Sequence, residues 1–81
     1  MYIKSAVLKA VDTTGIKPVS SFVEAAKKFE SRITIINKNE QINAKSFRGL
    51  LVSALRIGSK ILVMADGPDE QEAVSLLCEL I

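Results

Sequence analysis

The sequence predicts an α+β domain of order β-α-β-β-α-β-α, with its helices packed on one face of a mainly antiparallel sheet. Three observations carry this reading. Apolar residues recur at helical spacing in three segments, β-branched or alternating runs fill the intervals between them, and turn-forming residues separate the two kinds. The punctuation is Thr13-Thr14-Gly15, Asn37-Lys38-Asn39, Gly58-Ser59 and Asp66-Gly67-Pro68. A chain of 81 residues builds one core at most, so residues 1–81 are expected to form one domain.

Each element follows from its own pattern. Ile3 to Val11 mixes apolar and polar residues at about period two and reads as a strand. After Gly15, the residues Val19, Phe22, Val23 and Ala26 fall at i, i+3, i+4 and i+7, which predicts an amphipathic helix from about Pro18 to Phe29. Pro18 suits its first turn, and Lys27 and Lys28 favour its negative end. Arg32 to Asn37 is a short β-branched strand, joined through Asn37-Lys38-Asn39 to a second strand from about Glu40 to Asn43 as a hairpin. Phe47, Leu50, Leu51, Ala54 and Leu55 repeat at helical spacing behind Ser46. Lys60 to Ala65 is an apolar strand suited to the centre of a sheet. The last helix opens with Asp69, Glu70 and Glu72 at its positive pole, and its apolar face is expected to comprise Ala73, Val74, Leu77, Leu80 and Ile81.

Composition excludes several kinds of chemistry. The chain has no histidine and one cysteine, which removes the commonest general base and the usual zinc ligand sets. Its four glycines, at positions 15, 49, 58 and 67, form neither a P-loop nor a dinucleotide fingerprint. No catalytic residue, metal or cofactor is expected, and the carboxylates of the last helix read as a solvated cap. Cys78 lies among Leu76, Leu77 and Leu80 and reads as a buried structural thiol. A net charge of +2 is too small to indicate a nucleic-acid or membrane partner. The charge is nonetheless uneven, because Asp66, Asp69, Glu70, Glu72 and Glu79 put five of the nine acids in the last 16 residues, an acidic tail on a mildly basic body whose plain reading is a solvated surface. With no signal-peptide pattern and no apolar stretch long enough to cross a bilayer, the expected location is cytoplasmic.

Two helix starts are candidate anion sites, because unpaired N–H groups and a partial positive charge gather there. At Gly15-Ile16-Lys17-Pro18, the glycine permits close approach of an anion and Lys17 adds a cation; a plain glycine-containing turn explains the same residues. At Asn43-Ala44-Lys45-Ser46-Phe47-Arg48-Gly49, Ser46 stands at an N-cap position. A phosphoryl group there would face the helix pole rather than oppose it, whereas the plainer reading is a structural cap.

Three stretches together resemble the HPr phosphocarrier family of the bacterial sugar phosphotransferase system. Ile42 to Leu50 resembles the segment around that family's regulatory serine, Ala65-Asp66-Gly67-Pro68-Asp69-Glu70 its turn into the last helix, and Ala25-Ala26-Lys27-Lys28-Phe29 the end of its first helix. The resemblance implies an open-faced β-sandwich of four antiparallel strands with three helices on one face. The family reads Gly-Ile-His-Ala-Arg-Pro-Ala at its active site. Pro18 in register without gaps sets Lys17 on the family's arginine and Gly15 on its histidine; the alternative keeps Thr14-Gly15-Ile16 in register and deletes two residues before Lys17. In either register the phospho-accepting imidazole is absent, as in the catabolite-repression HPr-like proteins, so the resemblance implies loss of carrier function.

The same resemblance implies phosphorylation of Ser46 by an HPr kinase/phosphorylase and binding of the product to a catabolite-control transcription regulator, in a monomer or homodimer. From the residues themselves, Arg48 with Lys45 could pair with a phosphoserine or could equally make the docking patch unfit for that kinase, and Phe47 and Leu51 fit either a docking patch or the core face of the helix. Arg48 stands where the family usually has an apolar residue of its docking patch. The alternative is a divergent binding module of the same fold, holding an anion or partner at the Gly15–Pro18 helix start without a phosphotransferase role.

Overall fold

The computed structural model describes residues 1–9, 16–52 and 57–81. Its elements run β1 (Tyr2–Val7), α1 (Ile16–Lys27), β2 (Arg32–Asn37), β3 (Glu40–Asn43), α2 (Phe47–Val52), β4 (Lys60–Asp66) and α3 (Glu70–Leu80). The strands form one sheet of order β1-β4-β2-β3, with every neighbouring pair antiparallel. This is the expected α+β open-faced sandwich, and β4 holds the central place predicted for it.

Residues paired across an antiparallel ladder share a face. Ile61, Val63 and Ala65 of β4 lie beside Ile33 and Ile35 of β2 and point into the core, where Val19, Phe22, Val23 and Ala26 of α1, Leu50 of α2 and Ala73, Val74 and Leu77 of α3 meet them. The other face is open: Leu62, although within an apolar run, is 38% exposed, and its neighbours Ser5 and Ile36 lie on the same side.

Several expectations need correction. The first strand ends at Val7 rather than running to Val11. Backbone pairing continues differently beyond it, because Leu8 exchanges bonds with Ser59 and Gly58 while Lys9 donates to Ile81; Val11 lies outside the described residues. Helix α1 begins at Ile16 and stops at Lys27, and the N–H groups of Lys28 and Phe29 close a tighter turn onto Ala25 and Ala26. In the hairpin, Lys38 takes the left-handed conformation, with φ 57°, where an asparagine is the commoner choice. Ala54 and Leu55 lie outside the described residues. Leu80 is 39% exposed, so the apolar face of α3 closes on Ala73, Val74 and Leu77, with Ile81 buried beyond it. Cys78 is half-buried, and desolvation pushes its thiol pKa up.

The carboxylates at the start of α3 are not a simple solvated cap. Asp69 occupies the N-cap position but makes no side-chain bond to its own helix. Instead it accepts from the backbone N–H groups of Glu30 and Ser31, each at 2.9 Å, and from the hydroxyl of Ser31, a residue with no exposed surface. This clasp holds the end of α1 against the turn into α3. Gly67 lies beneath it: a Cβ there would stand 2.6 Å from the Ser31 Cα and 2.7 Å from its hydroxyl. Glu70 accepts from the Gly67 N–H at 3.2 Å and pairs with the N-terminal ammonium at 2.9 Å.

Two outcomes follow from this clasp. Gly67→Ala forces a methyl group into backbone and should lower stability by about 1–3 kcal/mol, the usual range for overpacking, as measured by urea denaturation. The Asp69 pKa is held below its ordinary value, first by the Ser31 hydroxyl and then by the Glu30 N–H. A carboxyl depressed in the folded state stabilises it above the unfolded pKa and ceases to do so as pH falls through the folded value. Asp69→Asn should therefore unfold more easily than the parent at pH 7, and the gap should narrow below about pH 4, near the ordinary aspartate value; a gap independent of pH would remove the explanation.

Candidate functional site

Ser46 is the residue on which the structure gives the fullest local account. The turn from β3 is built by Asn43, whose side-chain oxygen accepts from the Lys45 N–H at 2.9 Å while its backbone carbonyl accepts from the Ser46 N–H at 3.0 Å. Such Asx turns redirect a chain at the end of a strand. Ser46 then caps α2, its Oγ accepting from the Gly49 N–H at 3.1 Å and its carbonyl from the Leu50 N–H at 3.1 Å. Gly49 leaves room for this bond, since a Cβ there would sit 3.1 Å from the Ser46 Oγ.

The half-buried Ser46 borders an open cleft of about 510 Å³ between β3 and α2, lined also by Glu40, Gln41, Arg48 and Val52. A hydroxyl has two lone pairs, and the Gly49 N–H occupies one of those on the Ser46 Oγ. Arg48 is exposed within the same cleft.

The other expected contact residues are distributed differently. Lys45 directs its ammonium to the Phe29 carbonyl at 2.7 Å, at the end of α1. Phe47 and Leu51 are half-buried and pack against the core. The exposed apolar residue of α2 is Val52, at 79%, which sequence reasoning missed because it falls outside the stripe of Phe47, Leu50 and Leu51. Lys17 belongs to the first turn of α1, and Gly15 lies outside the described residues. Among the described residues no group of three or more metal-ligating side chains converges, and no helix is long and apolar enough to cross a membrane.

The family profile described as PTS HPr component phosphorylation site matches residues 5–81. The chain belongs to the HPr family. The phosphocarrier protein HPr of Borreliella burgdorferi is 41% identical over 78 residues, covering 96% of this chain and 91% of that protein. The HPr-like protein Crh of Halalkalibacterium halodurans is 40% identical over 65 residues, covering 80% of this chain and 77% of its relative. Among solved structures, HPr of Bacillus anthracis superposes with a TM-score of 0.92 at 28% identity, covering 99% of this chain and 95% of that one. Bacillus subtilis Crh, solved as a domain-swapped dimer, gives 0.76 at 31% identity, covering 95% and 82%. The relatives thus include both phosphocarriers and the HPr-like protein Crh.

The cap at Ser46 yields a direct test of this HPr-family α2 start. Ser46→Ala removes the acceptor for the Gly49 N–H and should lower stability by about 0.5–2 kcal/mol. Ser46→Asp retains an acceptor and should restore most of the loss, read as a shift in urea midpoint at unchanged slope.

Proposed function

We propose that this protein is a regulatory member of the HPr family that cannot carry phosphohistidine and is controlled by phosphorylation at Ser46. The observation that carries the first half is the absence of any histidine from the 81 residues. Phosphorelay through an imidazole needs a neutral nitrogen nucleophile, which neither Gly15 nor Lys17 provides, because glycine has no side chain and lysine at its ordinary pKa is protonated. On this reading the protein is not an enzyme and acts in the cytoplasm.

The second half is supported by the placement of the serine. Ser46 lines the cleft, and the hydroxyl lone pair not bonded to the Gly49 N–H would attack the γ-phosphorus of ATP. The new O–P bond displaces ADP, and the hydroxyl proton passes to a base on the kinase. The product dianion would lie against the first-turn N–H groups of α2, where negative charge is favoured, with Arg48 beside it on the cleft. Lys45 would join it only by leaving the Phe29 carbonyl. The proposed partners are an HPr kinase/phosphorylase and a catabolite-control transcription regulator, and Val52 joins Phe47 and Leu51 as a candidate docking residue. Relatives solved as dimers support an HPr-like homodimer.

Two incubations test the proposal. With HPr kinase and ATP, intact-mass analysis should show one added phosphoryl group, lost in Ser46→Ala; an unmodified chain would sink the regulatory half. With phosphoenolpyruvate and the first enzyme of the phosphotransferase system, no acid-labile phosphate should appear on the chain, and its appearance would sink the other half.

A further inference from the structure

Apart from the Ser46 cleft, the helical side of the molecule carries a second groove. It is an open depression of about 540 Å³ between the end of α1 and the outer face of α3, lined by Phe29, Gln71, Glu72, Ser75, Leu76 and Glu79. None of these residues lines the Ser46 cleft. Phe29 is half-buried and packs against the core, and Leu76 is 38% exposed. Together they offer an apolar floor, although neither alone would call for explanation.

The rim gives the groove its chemical character. Glu72 and Glu79 are both exposed, one turn to either side of Leu76, and the lining contains no cation. Helix α3 has no lysine or arginine along its whole length. This is a local inversion, because the chain as a whole carries 11 basic and 9 acidic residues. The clasp of Asp69 on Glu30 and Ser31 fixes the loop after Phe29 to the start of α3, so the two walls are held together before anything binds.

We infer that this groove docks a basic amphipathic segment of a partner protein, one apolar side chain seated between Phe29 and Leu76 and flanking lysines or arginines paired with Glu72 and Glu79. Charge complementarity selects that occupant: an acidic segment would meet two like charges at the rim, and a neutral apolar one would leave both carboxylates without a counter-charge. Binding is expected to be transient and salt-sensitive, as suits an open groove with an exposed charged rim.

The test uses the full chain, labelled with nitrogen-15, and a synthetic amphipathic peptide carrying a central leucine pair flanked by lysines. Saturable shifts should centre on Phe29, Ser75, Leu76 and Glu79 and weaken as salt is raised. Leu76→Lys, and separately Glu72→Lys with Glu79→Lys, should reduce affinity at least ten-fold while the remaining amide spectrum stays that of the folded protein. The same peptide with glutamates in place of lysines should bind at least ten-fold more weakly. Equal binding of the glutamate peptide, undiminished binding by the folded charge-reversed variant, or shifts centred on α2 or the open sheet face would overturn the inference. So would groove shifts that depend on protein concentration without peptide, since the occupant would then be a second copy of this chain.

Discussion

The clasp between Asp69 and the Glu30–Ser31 backbone organises one end of this molecule. A sheet covered on one face needs its helices anchored to the strands they follow, and the connections here are short. Asp69 is at the start of α3, yet its oxygens satisfy donors in the turn between α1 and β2. The buried Ser31 hydroxyl therefore has a partner, as buried polar groups require, and the glycine beneath it exists because no side chain fits there.

From that anchor the arrangement passes to the Ser46 region. The Phe29 carbonyl, next to the clasped residues, receives the Lys45 ammonium, and Lys45 in turn is fixed by the Asn43 side chain. Three turns, at residues 28–31, 43–46 and 66–69, are thus linked by side chains bonded to backbone. Ser46 inherits its position from this network as much as from its own helix, which at six residues contributes little stability by itself. In the proposed regulatory state, a phosphoserine would compete with the Phe29 carbonyl for Lys45, so charge added at Ser46 bears on the far end of α1.

The succession of strands and helices was legible from residues alone because its signals are local and redundant, whereas the order β1-β4-β2-β3 joins strands distant in the chain and came only with the closed sheet. Arg32–Asn37 and Glu40–Asn43 have the expected bounds, since a β-branched run ahead of a two-residue loop, with Ile42 facing Ile35 across it, leaves little choice of register. Ser46 was legible for a similar reason, as a capping serine ahead of a helical stripe. Other features were not. The apolar run of β4 hides an open face, because a hydrophobic side chain on a sheet without a second layer has nothing to cover it. Leu80 satisfies the periodicity of α3 yet looks outward, where the helix has run past the core.

What the sequence determined by itself was the succession of elements, the absence of an imidazole, and the one-sided acidic character of the last helix. These depend on residue identity and short-range spacing, which no packing can alter. Tertiary structure alone decided that Asp69 serves another element rather than its own helix, that Lys45 faces Phe29 rather than Ser46, and that Val52 rather than Phe47 is the exposed apolar residue of α2. Each of these turns on which groups, distant in the chain, come within hydrogen-bonding or van der Waals reach, and that proximity exists only once the core has closed.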